Sequence, residues 1–300
     1  MAETFKRSWD ITKVTFSILR DNKSLIWFPT LAFILSAIFS LTMIGSTILI
    51  KYTDSSVAGV PEVPSYIILF LTYLGLSFIS TFFNFAVVHS AKKIFEHKEA
   101  SFSDSMRYTL SKIHLVFIWS LVVAVVGLLF KILERLAKQM KEAGKIILLL
   151  TRAILGIAWS IATIFVIQSM VYNETKPIDS IRDSISTFRK TWGETMVRAF
   201  GLGAVEFALI IGGLFLGMIV FFTAMFFSIS QGSLALGLTL MIAVGVLIGL
   251  YLLGVIMVFS VANSIFNTAI YIYAKTGKVP GYYSIETLSK AFEKTGKVGE

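Results

Sequence analysis

The sequence predicts an all-α polytopic membrane protein: six transmembrane helices arranged as three hairpins, each introduced by a cytoplasmic interfacial amphipathic helix. Three observations predict it. Six long apolar stretches fill most of the 300 residues. The chain is 56% hydrophobic with a mean hydropathy of +0.79, far from the mix that folds around one water-excluded core. The polar segments between the stretches repeat their apolar residues at helical spacing.

In the first polar segment Phe5, Trp9, Thr12 and Phe16 recur at helical spacing opposite Lys6, Arg7, Lys13 and Arg20. Such a helix buries its apolar stripe in the headgroup boundary and keeps its cations wet. Span one runs from Leu25 to Ile50. It starts too late, is too long and lacks a small-x-small site for a cleaved leader, so it is read as a retained span. Span two covers Tyr66 to Ser90, and a second amphipathic helix with Met106, Leu110, Ile113 and Phe117 leads into span three, Ile113 to Phe130. Span three is the shortest; the others exceed the ~20 residues that cross a ~30 Å hydrocarbon layer.

The segment from Lys131 to Lys145 carries Lys131, Arg135, Lys138, Lys141 and Lys145, with Ile132, Leu133, Leu136 and Met140 at helical spacing. It reads as a helical extension of span three lying on the outer surface. A dip-and-return of stretches three and four, which would leave this segment cytoplasmic, stays open. Span four covers Ile146 to Tyr172, and a third amphipathic helix carries Ile178, Ile181, Ile185, Phe188 and Trp192. Spans five, Met196 to Ser230, and six, Leu234 to Tyr273, are separated only by Gln231-Gly232-Ser233. At this length they are expected to tilt, to bend near Gly212-Gly213 or to protrude. Residues 275–300 form an amphipathic cytoplasmic tail with Ile285, Leu288 and Phe292 on one side.

The polar segments leave no room for a separate soluble domain, so one membrane domain covers 1–300. Asp104-Ser105-Met106-Arg107 with Ser111 matches Asp179-Ser180-Ile181-Arg182 with Ser186, and Asn84-Phe-Ala86 echoes Asn267-Thr-Ala269. These matches imply repeat units 1–98, 99–175 and 176–274. Asp104 and Asp179 are expected to cap their helices, and the five tryptophans, Trp9, Trp27, Trp119, Trp159 and Trp192, to act mostly as interface anchors.

Lys and Arg concentrate in segments 1–24, 91–112, 173–195 and the tail. The positive-inside rule therefore puts both termini in the cytoplasm of a cell-membrane protein. The net charge of +9 reports this topology, with anionic headgroups of membrane lipid as its partners. No aromatic-interleaved basic platform accompanies it, so no nucleic acid is expected. A homo-oligomer or a membrane-protein partner is left open.

Candidate functional residues are few. Glu206, ten residues after Met196 in span five, is an intramembrane carboxylate that costs several kcal/mol unless paired or protonated. It is either a proton or cation site, or a structural partner of a residue such as Arg152. Asn84, Asn263, Asn267 and Gln168 suit interhelical hydrogen bonds. Gly213 and Gly217 in span five match Gly245 and Gly249 in span six in depth, so the two backbones are expected to approach through their glycines. His89, His97 and His114 lack metal-ligand spacing. There is no cysteine, and no zincin, nucleophile-elbow, Walker or dinucleotide motif. No enzyme activity and no cofactor is expected. The function predicted first is a scaffold for a membrane complex or an organiser of lipid, and second a channel or transporter for a small cation or solute using Glu206.

Phe5-x-x-Ser8-Trp9, Phe28-Pro29, Phe82-Phe83-Asn84, Gly156-x-Ala158-Trp159-Ser160, Trp192-Gly193-Glu194 and Tyr271-x-x-Ala274 together resemble an uncharacterised family of prokaryotic six-span membrane proteins, a domain of unknown function. The resemblance implies an integral membrane fold and carries over no activity. Members usually have a proline near the end of span four, where this chain has Ile167-Gln168-Ser169.

Overall fold

A computed structural model describes residues 2–53, 63–278 and 280–283, and all of their regular structure is helical. In order come α1 (Ala2–Asp21), a 3-10 turn (Lys23–Ile26), α2 (Trp27–Thr53) and α3 (Val63–Phe95). Then follow α4 (Phe102–Ser111), α5 (Ile113–Gln139), α6 (Glu142–Thr163) and α7 (Val166–Asn173). The last are α8 (Pro177–Lys190), α9 (Trp192–Ser230) and α10 (Leu234–Thr276). Among the described residues six stretches are long and apolar enough to cross a membrane: Lys23–Ile48, Ile67–Phe95, Ile113–Gln139, Glu142–Asn173, Leu202–Ser230 and Ala235–Thr276. The protein is an integral, multi-pass membrane protein.

The chain divides into two compact units that interleave in sequence. One holds residues 1–21, 193–263 and 282–300; the other holds 22–192 and 264–281. In the second unit α2 packs on α3, α3 on α5 and α5 on α6, while α8 packs on α6 and α7. Burial there is concentrated at one end. It covers α3 from Thr81 onward, Ser105 and Thr109 of α4, the start of α5, α7, one face of α8 and α10 from Ser264 to Tyr271. In contrast, α6 buries no residue.

Span four is broken where that packed end begins. α6 stops at Thr163 and α7 starts at Val166, and the break needs no proline. The Phe165 N–H donates to the Ser184 Oγ of α8 at 3.0 Å, so a side chain inserted from outside takes the place of a helix carbonyl. The 131–145 segment is helical on both sides of a tight connection at Met140-Lys141, as the extension of span three required. α9 runs unbroken through Gly212-Gly213.

Three expectations need correction. Asp104 and Asp179 sit in the first turns of α4 and α8, but the cap positions are Ser101 and Lys176, with no side-chain cap bond at either. The carboxylates meet cations instead: Asp104 pairs with Lys93, and Asp179 lies 3.8 Å from Arg182. Trp119 is not an interface anchor, because it is only 5% exposed and stacks on Trp159 with centroids 5.9 Å apart. Trp27, at 60% exposure, fits the anchor role; the side chains of Trp9 and Trp192 lie outside the described residues. The span-five and span-six glycines do not meet one another. A Cβ on Gly213 would strike the Tyr251 ring and one on Gly217 would strike Ile248, whereas Gly245 and Gly249 face open space. Ile248 and Tyr251, one turn apart on α10, fill the notch of α9, so the α10 glycines lie on another side of the helix.

Candidate functional site

The short helices are built alike at the atomic level. In α4 the buried positions are Ser105 and Thr109, and in α8 they include Ser180 and Ser184, the same positions 75 residues later. α1 repeats the pattern. Asp10, Lys13, Thr15 and Ser17 recur as Asp104, Arg107, Thr109 and Ser111, and again as Asp179, Arg182, Ser184 and Ser186. Thr15, Thr109 and Ser184 are all fully buried. Ser17, Ser111 and Ser186 each donate to the carbonyl three residues back, at 2.8, 2.7 and 2.8 Å. A small hydroxyl lets helices approach closely and bond one another.

The repeated buried hydroxyls have partners, whereas Thr187 Oγ1 on α8 has none among the described residues. Ser105 Oγ lies 2.7 Å from Ser90 Oγ and 3.1 Å from His89 Nδ1. Ser180 Oγ lies 2.7 Å from Thr175 Oγ1, Ser184 receives the Phe165 N–H, and Thr15 Oγ1 lies 2.9 Å from the Tyr283 hydroxyl. Opposite the hydroxyls, the predicted apolar stripes are exposed only in part, and Met106, Ile181 and Ile185 are half-buried. Leu110 is 54% and Ile178 65% exposed, and Ile113 and Phe117 are exposed as well. Phe188, expected on that stripe, is buried.

Around these helices the packed end carries a charged clasp. The C-terminal turn of α7 exposes carbonyls that carry the negative end of its dipole. The Val171 carbonyl accepts from the Tyr108 hydroxyl at 3.2 Å and from Lys92 Nζ at 3.5 Å. Glu174 ends α7 with a left-handed φ of 54°, and its carboxylate meets Lys112 at 2.7 Å. That hydrogen bond holds the Glu174 carboxyl below its usual range. Burial pushes the Tyr108 hydroxyl up to about 12, which keeps it a neutral donor.

Asp183 is the centre of the clasp. The Tyr271 hydroxyl donates to it at 2.7 Å while accepting from Asn173 Nδ2 at 2.7 Å, and Lys275 forms an ion pair with its other oxygen. Burial alone would raise the Asp183 carboxyl. The hydrogen bonds from Lys275 and Tyr271 outweigh it and hold the group below its ordinary value. The directed chain Asn173 to Tyr271 to Asp183, closed by Lys275, joins α7, α8 and the end of α10.

The predicted polar residues take separate places. Asn84 accepts from Ser264 at 2.8 Å, joining α3 to α10 as an interhelical bond. Gln168 is buried in α7, and Asn263 and Asn267 are half-buried one turn apart on α10. Arg152 reaches Glu134 at 3.8 Å, a carboxylate also met by Lys138 at 3.2 Å and Lys131 at 3.4 Å. His89 stacks on Tyr108 with centroids 4.0 Å apart.

Glu206 is half-buried on α9, and no ion pair to it occurs among the described residues. It lies 24 residues before Ser230 at the end of α9, about 36 Å along the axis at 1.5 Å per residue. Glu206 falls within the apolar stretch Leu202–Ser230.

Sequence reasoning missed the α1 copy of the motif, although the spacing Asp-x-x-Lys/Arg-x-Ser/Thr-x-Ser was there to find. It also missed Asp183, Tyr271 and Lys275, whose meeting leaves no local signal because they are 88 and 92 residues apart. One family model matches the chain, a family of unknown function (DUF6159), over residues 63–281, from the start of α3 past the end of α10. No curated protein matches it.

Proposed function

The chain belongs to this family of unknown function, and from that premise we propose that it is a non-enzymatic membrane protein that scaffolds a membrane complex or organises lipid. The observation that carries the reading is the two-faced design of α4 and α8: Ser105, Thr109, Ser180 and Ser184 are buried and hydrogen-bonded, while Leu110 and Ile178 are exposed on the same helices as Arg107 and Arg182. A helix of this design gains by placing its outward stripe in the headgroup boundary or against another membrane protein.

The chain then forms three hairpins. Interfacial helices α1, α4 and α8 precede α2–α3, α5–α6/α7 and α9–α10, with both termini in the cytoplasm of a cell-membrane protein by the distribution of Lys and Arg. The graded burial of the second unit supports the same arrangement. Apolar side chains can stay exposed where hydrocarbon solvates them and must be covered where water does, so the packed end lies on the cytoplasmic side. The Asp183 clasp locks that end together and leaves the outward stripes as the working surface.

The test is chemical cross-linking in native membranes followed by capture of the full chain. Recovery of further copies or of membrane-protein partners supports the reading, and recovery of the monomer alone refutes it. A second reading, transport of a small cation or solute, is favoured by the half-buried Glu206 carboxylate. In proteoliposomes Glu206→Gln abolishes a flux that uses this group; flux that persists removes it from the mechanism.

A further inference from the structure

We propose that a groove between α1 and the start of span five binds the phosphate-bearing headgroup of an anionic phospholipid. The groove has a volume of about 280 Å³ and is lined by Thr12, Lys13, Phe16, Ser17, Arg20 and Val205. All six residues belong to one compact unit. Lys13 and Arg20 are seven residues apart, so they project from one side of α1 two turns apart and bracket the groove. Phe16 and Val205 form its apolar wall, and Phe16 is braced by the edge of the Phe259 ring at 5.3 Å.

The depth is right for a headgroup. Val205 adjoins Glu206, about 36 Å along α9 from Ser230, and a ~30 Å hydrocarbon layer that begins at the Ser230 turn ends at this level.

The chemistry discriminates among anions. A phosphodiester is drawn by the two cations, and the glycerol carbons and first methylenes of a lipid also cover Phe16 and Val205. Inorganic phosphate would use only the cations. At Arg20 a competing carboxylate is Asp21, 3.6 Å away, but the two side chains are 57% and 78% exposed. Such a pair contributes little and yields readily to a better anion. The Ser17 hydroxyl proton is already given to the Val14 carbonyl at 2.8 Å, so the cations carry the phosphate. This inference deepens the lipid-organising reading and rests on it for the membrane level of α1.

The experiment is native mass spectrometry of the full chain in detergent, titrated separately with phosphatidylglycerol and phosphatidylcholine. Wild type is expected to prefer phosphatidylglycerol. K13Q/R20Q is expected to lose about 25-fold in affinity, because each basic residue near an anionic lipid contributes about five-fold. K13R/R20K, which keeps the charges, retains the preference, and K141Q/K145Q, at the exposed start of α6, leaves it unchanged. Three outcomes overturn the proposal: full affinity in K13Q/R20Q, an equal loss in K141Q/K145Q, or displacement of the lipid by equimolar inorganic phosphate. Partner capture by K13Q/R20Q in native membranes separates a failed groove from a failed scaffold.

Discussion

Replacing Tyr271 by Phe removes one oxygen atom and tests the clasp at its centre. The ring is 1% exposed, so water does not replace the lost hydroxyl at the ring. The phenyl group keeps its packing against Phe165 and Tyr172. Two hydrogen bonds disappear, one to an ionised carboxylate and one from an amide. A bond to a charged group contributes about 1.5–3 kcal/mol and a neutral one about 1. Asp183 and Asn173 reach solvent and recover part of this, which leaves a net loss of about 2 kcal/mol. The assay is reversible unfolding in mixed micelles of wild type, Y271F, D183N and the double variant. Because the hydroxyl acts through Asp183, the double variant is expected to fall short of the sum of the singles by at least ~0.5–1 kcal/mol. Additive losses would refute the directed chain.

The pH dependence follows from the same group. The native Asp183 carboxyl is held below its unfolded value near ~3.9, so its stabilisation is fully present above that value. It is lost as pH falls through the native pKa. In D183N that part of the acid sensitivity disappears; an unchanged acid limb would remove Asp183 as its source.

Two further substitutions test the packing. Ser184→Ala leaves the buried Phe165 N–H without its acceptor, at about 1–3 kcal/mol, and hydrogen exchange at that amide is expected to accelerate roughly 10- to 100-fold. An unchanged rate would mean that the break in span four does not depend on the hydroxyl. Gly213→Ala drives a methyl into the Tyr251 ring and strains its 2.9 Å bond to the Leu209 carbonyl, at about 1–3 kcal/mol. Gly245→Ala meets open space and is expected to be neutral or slightly stabilising; equal losses in a thermal melt would contradict the notch.

The spans were legible because length and apolarity belong to each segment by itself, and a bilayer imposes one requirement on all of them. The helical continuation beyond Phe130 was legible for the same local reason. What failed was the choice of face. Gly245 and Gly249 match Gly213 and Gly217 in depth, but depth along a helix says nothing of rotation about it, and Ile248 and Tyr251 point at α9 instead. In α4 and α8 attention went to the apolar stripes, and the hydroxyls opposite them looked merely polar. Ser105, Thr109, Ser180 and Ser184 are core residues because helices meet closely there, which single-helix periodicity does not encode. Asp183 and Lys275 are exposed-looking charges until the end of α10 returns beside α8.

The uneven burial of the second unit gives its melting behaviour two regimes. Only the crowded end, where Phe85, Phe165, Ile265 and Tyr271 are shielded, hides apolar atoms from water, so only its loosening carries a positive heat-capacity increment. The lipid-bathed lengths keep their main-chain ladder when that core comes apart, since no water reaches them to compete for it. Calorimetry and near-ultraviolet dichroism therefore register the loss of the crowded end while far-ultraviolet dichroism stays nearly flat.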